Sequence, residues 1–223
     1  MHPCGPLLFG SYLITAVAFS SSALADTIHS AAESLNCAAI NNILQEDPSL
    51  VNLKDARGRT PLLCALDTIY ANNSDGLKKT IDLLMVSHAD IHARDNDGNS
   101  VVHHAVRPGI DFVKLFVSSD RKFVVATNNF QVTPLHTAVW FGEKDVAEFL
   151  IISGAHVNAE DKDGVTPLHI AVEKGNIDMV RLLLKYHADI NARTKSGETP
   201  YTLAKNPYDS TLQRFIRKNG GHE

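Results

Sequence analysis

Three histidines, His103, His136 and His169, follow one another at intervals of 33 residues. Imidazole is a common metal ligand and a common general base near neutral pH, so this triplet is the first place to look for chemistry. The constant interval argues against a metal centre. Zinc needs ligands converging on one point, and residues one period apart lie strung along an array. His88, His104, His156 and His187 occupy scattered positions with no partner pattern. The paired carboxylates Asp95 and Asp97 precede Gly98 and are explained by a turn. No Gly-rich phosphate loop and no Gly-x-Ser-x-Gly nucleophile elbow occurs. Cys37 and Cys64 fall ten residues after Thr27 and four after Thr60, offsets that do not bring them together, so buried free thiols are expected. These residues support neither catalysis nor a cofactor or metal, and the chain reads as not an enzyme.

The histidines belong to a longer pattern. Thr-Pro-Leu-His occurs at 133–136 and again at 166–169. Steps of 33 residues also reach Ser100 and Thr199; Thr60 opens a copy 40 residues before Ser100, and Thr27 lies 33 before Thr60. A fixed period of this size marks stacked helical units. Thr60, Thr133, Thr166 and Thr199 are helix caps, each followed by Pro at the first helical position. Ala65, Ala105, Ala138, Ala171 and Ala204 sit five residues in, where a small side chain lets helices approach. Gly109, Gly142 and Gly175 are expected to end the first helix in a left-handed cap. Ile40, Leu44, Val113, Val117, Val146, Leu150, Met179 and Leu183 recur at a spacing of four and predict a buried stripe on each second helix.

With these features the sequence resembles the ankyrin repeat family over 27 to about 220. The resemblance implies an all-α ankyrin-repeat solenoid of about six helix-pair units with β-hairpin-like turns. The units are 27–59 (N-terminal cap), 60–99, 100–132, 133–165, 166–198 and 199–223 (C-terminal cap), all within a domain of 26–223. In such repeats the fourth-position His joins hydrogen bonds that tie adjacent loops together. Two departures stand out. Seven extra residues around 70–76 predict a polar loop between the helices of the second unit. In the third, Arg121 to Val124 replace the usual Gly-Ala-Asp-Val, and Asn128 and Gln131 replace the turn Asp and Gly, which predicts an irregular hairpin.

The N-terminus is a separate object. An apolar run from Leu7 to Phe19, then serines and Ala23-Leu24-Ala25, reads as a signal peptide of residues 1–25 cleaved after Ala25. Its n-region has no Lys or Arg, which is off pattern, and its apolar run is short of the ~20 residues of a membrane helix. A periplasmic or secreted protein, with no membrane attachment after cleavage, is expected. The 21 basic and 25 acidic residues give a net charge of −4 with no block of like charge, against a nucleic-acid partner.

What remains is a surface. The resemblance implies a concave face of turn tips and first-helix ends, where ankyrin-like proteins meet protein partners. On that face Trp140 (the only Trp), Phe141, Phe130 and Val132 fall together, with Arg107, Lys162, Asp163, Val165, Glu173 and Lys174 around them. Aromatic residues at positions that should face water point to an interface with another protein, and polar neighbours would form its rim. The expected function is a non-catalytic protein–protein interaction module, a monomer acting as an exported adaptor or inhibitor. Alternatives are a secreted effector that engages host proteins, or an envelope accessory that supports a redox enzyme such as a catalase.

Overall fold

The computed structural model describes residues 21–67, 74–204 and 210–223. The expected signal segment lies outside these residues up to position 20, and its last five residues belong to the first helix. Among the described residues twelve α-helices form and no strand. None of the helices is long and apolar enough to cross a membrane.

Each unit is a helix pair. α1 (Ser21–Glu33) and α2 (Cys37–Glu46) make the first, α3 (Pro61–Leu66) and α4 (Ser74–Val86) the second, and α5 (Val101–Ala105) and α6 (Ile110–Ser119) the third. α7 (Pro134–Phe141) and α8 (Lys144–Ile152) follow, then α9 (Pro167–Glu173) and α10 (Ile177–Lys185), then α11 (Pro200–Leu203) and α12 (Thr211–Lys218). The first helices stack in order, α1 on α3, α3 on α5, and so on to α11, while α8 packs between α6 and α10 in a second layer. The five recurring alanines are buried, as are all eight residues of the spacing-of-four stripe. Such short helices are marginal alone, and their stability comes from burial against neighbouring units.

The helix ends follow the local sequence. Pro61, Pro134, Pro167 and Pro200 each open a helix behind a Thr cap. Gly142 (φ 76°, ψ 15°) closes α7 in the left-handed conformation, and Gly175 (φ 67°) follows α9. Gly109 does not behave as expected. Its φ of 118° and ψ of 177° place it in front of α6, and α5 has already ended at Ala105. Pro108 is the reason: it has no N–H to give to the carbonyl of His104, so the regular helix stops short of it although Gly109 N–H still reaches Ala105 O at 3.4 Å.

The third hairpin also differs from expectation, because it is regular. Asn128 Oδ1 accepts from the N–H groups of Phe130 (2.9 Å) and Val132 (3.0 Å), as Asp161 Oδ1 does from Asp163 and Val165. Gln131 takes up the left-handed φ (61°) that Gly supplies elsewhere. Asn offers the same short acceptor as Asp, and the turn geometry outweighs the modest cost of a left-handed Gln. One bond per tip then ladders the hairpins: Asn96 N–H to Arg57 O, Asn129 to Asp97, Lys162 to Phe130 and Lys195 to Asp163, all 2.8–2.9 Å. Where the third unit lacks Gly-Ala-Asp-Val, Arg121–Val125 form a 3₁₀ turn capped by Asp120, like Pro48–Asn52 capped by Asp47 in the first.

Of the seven-residue insertion, Ser74, Asp75 and Gly76 are helical, so α4 runs to 13 residues, and Asp75 sits favourably at its positive end. The rest of the expected loop, 70–73, lies outside the described residues.

Candidate protein-binding face

The periodic histidines are structural. His136 Nδ1 accepts from Thr133 N–H (3.1 Å), so it carries no proton, and the Thr133 hydroxyl donates to it at 2.8 Å. Nε2–H then donates to the carbonyl of Val165, in the hairpin that closes the same unit, at 3.1 Å. Ser100 with His103 and Val132, and Thr166 with His169 and Ala192, repeat the arrangement at 2.8–3.1 Å. Burial holds all three imidazoles neutral by lowering their pKa, that of His103 to about 4. Both nitrogens of each ring are spent within the stack, so none is presented to a substrate or metal. In the last unit Thr202 takes the histidine's place, and the Thr199 hydroxyl reaches His222 O. In the second unit Leu63 stands there, and Thr60 Oγ1 is left buried without a partner. Cys37 and Cys64 are free, Cys64 buried and Cys37 partly so; burial pushes the Cys64 thiol up to about 12, far from a reactive thiolate.

His104, which has no partner pattern in the sequence, has partners here. Its Nε2 lies 3.0 Å from Asp95 Oδ2 and its Nδ1 3.7 Å from Asp67 Oδ1. Burial opposes its charge, but the two carboxylates outweigh it and raise the pKa. Asp95 is also buried, yet the bonds from His104 and Asn99 hold it at about 2. Asp67 is lowered chiefly by His104, against its own burial, and it meets Arg59 Nη1 at 3.1 Å. Arg59 also pairs with Asp55 (2.8 Å) and Glu33 (2.9 Å). A chain of alternating charge thus crosses the first three units. It was missed because its links come from different copies; the local signal was an Arg at the end of one hairpin and an Asp late in the next helix.

The aromatic cluster lies further along. Trp140, Phe141 and Phe130 are 50%, 47% and 52% exposed, so the adjacent pair ending α7 does not fill a gap in the core. A cation sits over each ring: Lys174 Nζ is 3.3 Å from the Trp140 centroid, Arg107 is 5.3 Å from Phe141, and Lys162 is 5.7 Å from Phe130. Beside them is a groove of about 430 Å³, with Trp140, Phe141, Val132 and Val165 in its lining and Glu173 on its rim. Asp163 stays out on its turn tip and does not line it. His136 and Asp161 also line it, and Ile170 and Thr137, which sequence reasoning did not single out, complete the lining from the middle of α9 and α7. A smaller pocket of about 180 Å³ shares Phe141 and Thr137 with this groove, and shares His104 and Asp67 with a third cavity of about 510 Å³ lined by Arg57, Arg59 and Asp97. One trough therefore runs from the end of the first unit to the fifth, charged at its start and apolar at its end.

Comparison with known proteins agrees with this architecture. Family models described as ankyrin repeats (3 copies) and ankyrin repeats (many copies) match residues 68–161 and 153–204, together more than half of the chain. The chain is 31% identical over 118 residues to the transient receptor potential cation channel subfamily A member 1 of Drosophila melanogaster, a match covering 51% of this chain and 9% of the channel. It is 32% identical over 111 residues to an ankyrin repeat protein of Acanthamoeba polyphaga mimivirus, covering 49% and 14%. These matches take in only a small part of either relative. The chain belongs to the ankyrin-repeat family.

Proposed function

We propose that the chain is a non-catalytic module that binds a protein partner through the trough, with the Trp140–Phe141 groove as its energetic centre. Ankyrin repeats typically serve protein binding, and nothing in the chain points to turnover. The observation that carries the reading is the group of three half-exposed rings around an apolar groove in mid-stack. A soluble repeat protein gains nothing from such a patch unless something covers it, and Trp, Tyr and Arg are where interface energy concentrates. Export belongs to the same proposal, with Asp26 as the first residue of the mature protein, acting in the periplasm or outside the cell as a monomer.

The test is affinity capture with the tagged chain, wild type beside the Trp140→Ala/Phe141→Ala double variant, with the melting temperature of each measured. The expected result is a partner lost in the variant and a melting temperature within about 2 °C of wild type, since both rings are half in water. A drop of about 8 °C or more would make them part of the core and remove the proposed site. Sequencing the N-terminus of the exported protein checks the Asp26 start.

A further inference from the structure

The charges around the apolar groove are unequal, and the inequality says what the groove takes. Arg107, Lys162 and Lys174 are exposed and form no ion pair among the described residues; each lies over an aromatic ring. A ring-stacked cation is held in place while its N–H groups stay open to an incoming acceptor, so little side-chain freedom is left to lose on binding. The carboxylates of the trough are mostly spent. Asp55 and Asp67 face Arg59, Asp67 and Asp95 face His104, and Asp161 Oδ1 accepts two N–H groups of its own hairpin. Asp163, on the turn tip, is outside the groove's lining; Glu173 is its one exposed acid and Asp161 is half-buried.

We propose that the groove receives a polypeptide segment in which an apolar side chain is flanked by carboxylates. The apolar group enters between Val132, Val165, Ile170 and the two rings of α7, and the carboxylates meet Arg107 and Lys174 on either side. A basic segment finds there only Glu173 and Asp161, whose Oδ1 is held by two N–H groups of its own hairpin. This rests on the reading of the trough as a protein-binding face and adds the chemistry of the partner.

Trp140 is the only Trp, so its emission reports the groove directly. The probe is a capped synthetic decapeptide with a Leu-Phe pair between two pairs of Glu, titrated into the full chain beside twins carrying Lys or Ser for Glu. The acidic probe is expected to shift the emission saturably, more weakly as salt rises, and the Lys twin to leave it unchanged. Arg107→Gln and Lys174→Gln should each weaken the acidic probe roughly three-fold, the scale of an exposed charge pair. Glu173→Gln should tighten it by about the same factor, a gain that misfolding does not produce. Equal or tighter binding of the Lys or Ser twin overturns the proposal. So does no binding of the acidic probe at millimolar concentration, or indifference to all three substitutions. If capture by the wild-type chain and its loss in the Trp140/Phe141 variant persist alongside such a failure, the protein-binding face stands and only the acidic chemistry falls.

Discussion

In the third, fourth and fifth units a neutral histidine joins a hydroxyl at the start of the unit to a carbonyl near the unit's end, tying one hairpin to the next. In the second unit Leu63 removes that link, and the junction between the second and third units carries Asp67, His104 and Asp95. One step back, Arg59 joins Glu33 and Asp55 of the first unit to Asp67 of the second. The stack is thus held by neutral bridges toward its C-terminus, with one exposed ion pair between Lys185 and Glu148, and by a buried charge chain toward its N-terminus. The difference teaches that a repeat period fixes where units touch without fixing the chemistry of the contact. It also separates functions along the trough, because the apolar groove sits beyond the charge chain of Arg59 and His104.

The largest expected effect comes from breaking the charged half at its hub. Arg59, its side chain only 12% exposed, faces three carboxylates, and Arg59→Met leaves these close together without a cation. We expect a loss of about 2–3 kcal/mol, near the lower end for breaking a buried pair. His136→Leu, which copies at the fourth unit what nature does at Leu63, should cost about 1–2 kcal/mol through the orphaned Thr133 hydroxyl and Val165 carbonyl. Repeat arrays open locally, so hydrogen exchange by segment is the proper readout beside urea unfolding. Arg59→Met should expose 27–67 first and leave 133–198 protected, and His136→Leu should do the reverse. Uniform loss of protection in both variants would mean that the two halves are not separate in their energetics.

Next in size is an opposite response to pH. His103, His136 and His169 have folded pKa values below the ordinary 6.5, so the unfolded chain binds protons more readily. Their bridges are therefore at full strength above pH 6.5 and weaken as pH falls toward their folded values, about 4 for His103. His104 has a raised pKa, so its contribution is complete below 6.5 and is lost as pH climbs through its folded value. Between pH 7 and 5 the C-terminal half should lose about 1–2 kcal/mol from His103 alone, while the Asp67–His104–Asp95 junction holds. Urea midpoints across pH 4.5–8.5, wild type against His104→Gln, make the check. The variant should lose the alkaline decline and keep the acid one; an unchanged alkaline limb would assign that decline to another group.

Much of this was legible in the sequence, because the contacts that repeat are those that every copy must make. Capping Thr, opening Pro, the buried Ala and the spacing-of-four stripe each answer to a local requirement, and each is where the period put it. Trp140 and Phe141 were legible as exposed for the same reason, since adjacent residues of a helix cannot share one buried face. Contacts unique to one pair of units were not. His104 meets Asp67 from the preceding copy, across the insertion, and no repeat of the pattern signals it. Gly109 and Gln131 were misread by analogy with other copies: Pro108 ends α5 early, and an Asn in the Asp position is enough to build the turn.

The smallest effect gives the sharpest comparison. Thr60 and Thr133 hold the same position in their units, and both are buried, Thr60 to 1% exposure. Thr133 donates to His136, while Leu63 leaves the Thr60 hydroxyl with nothing to bond. Valine matches threonine in shape and replaces the hydroxyl by a methyl. At position 133 the change deletes a partner from a satisfied network and should cost about 1 kcal/mol or more. At position 60 it removes an unmet polar group from an apolar site, so Thr60→Val should be neutral or stabilising by up to about 1 kcal/mol. The two single variants, compared by urea unfolding at pH 7, test whether the second unit truly lacks the bridge. A Thr60→Val loss equal to that of Thr133→Val would require an unseen partner for Thr60, such as an ordered water, and the junction would then be held by both kinds of chemistry at once.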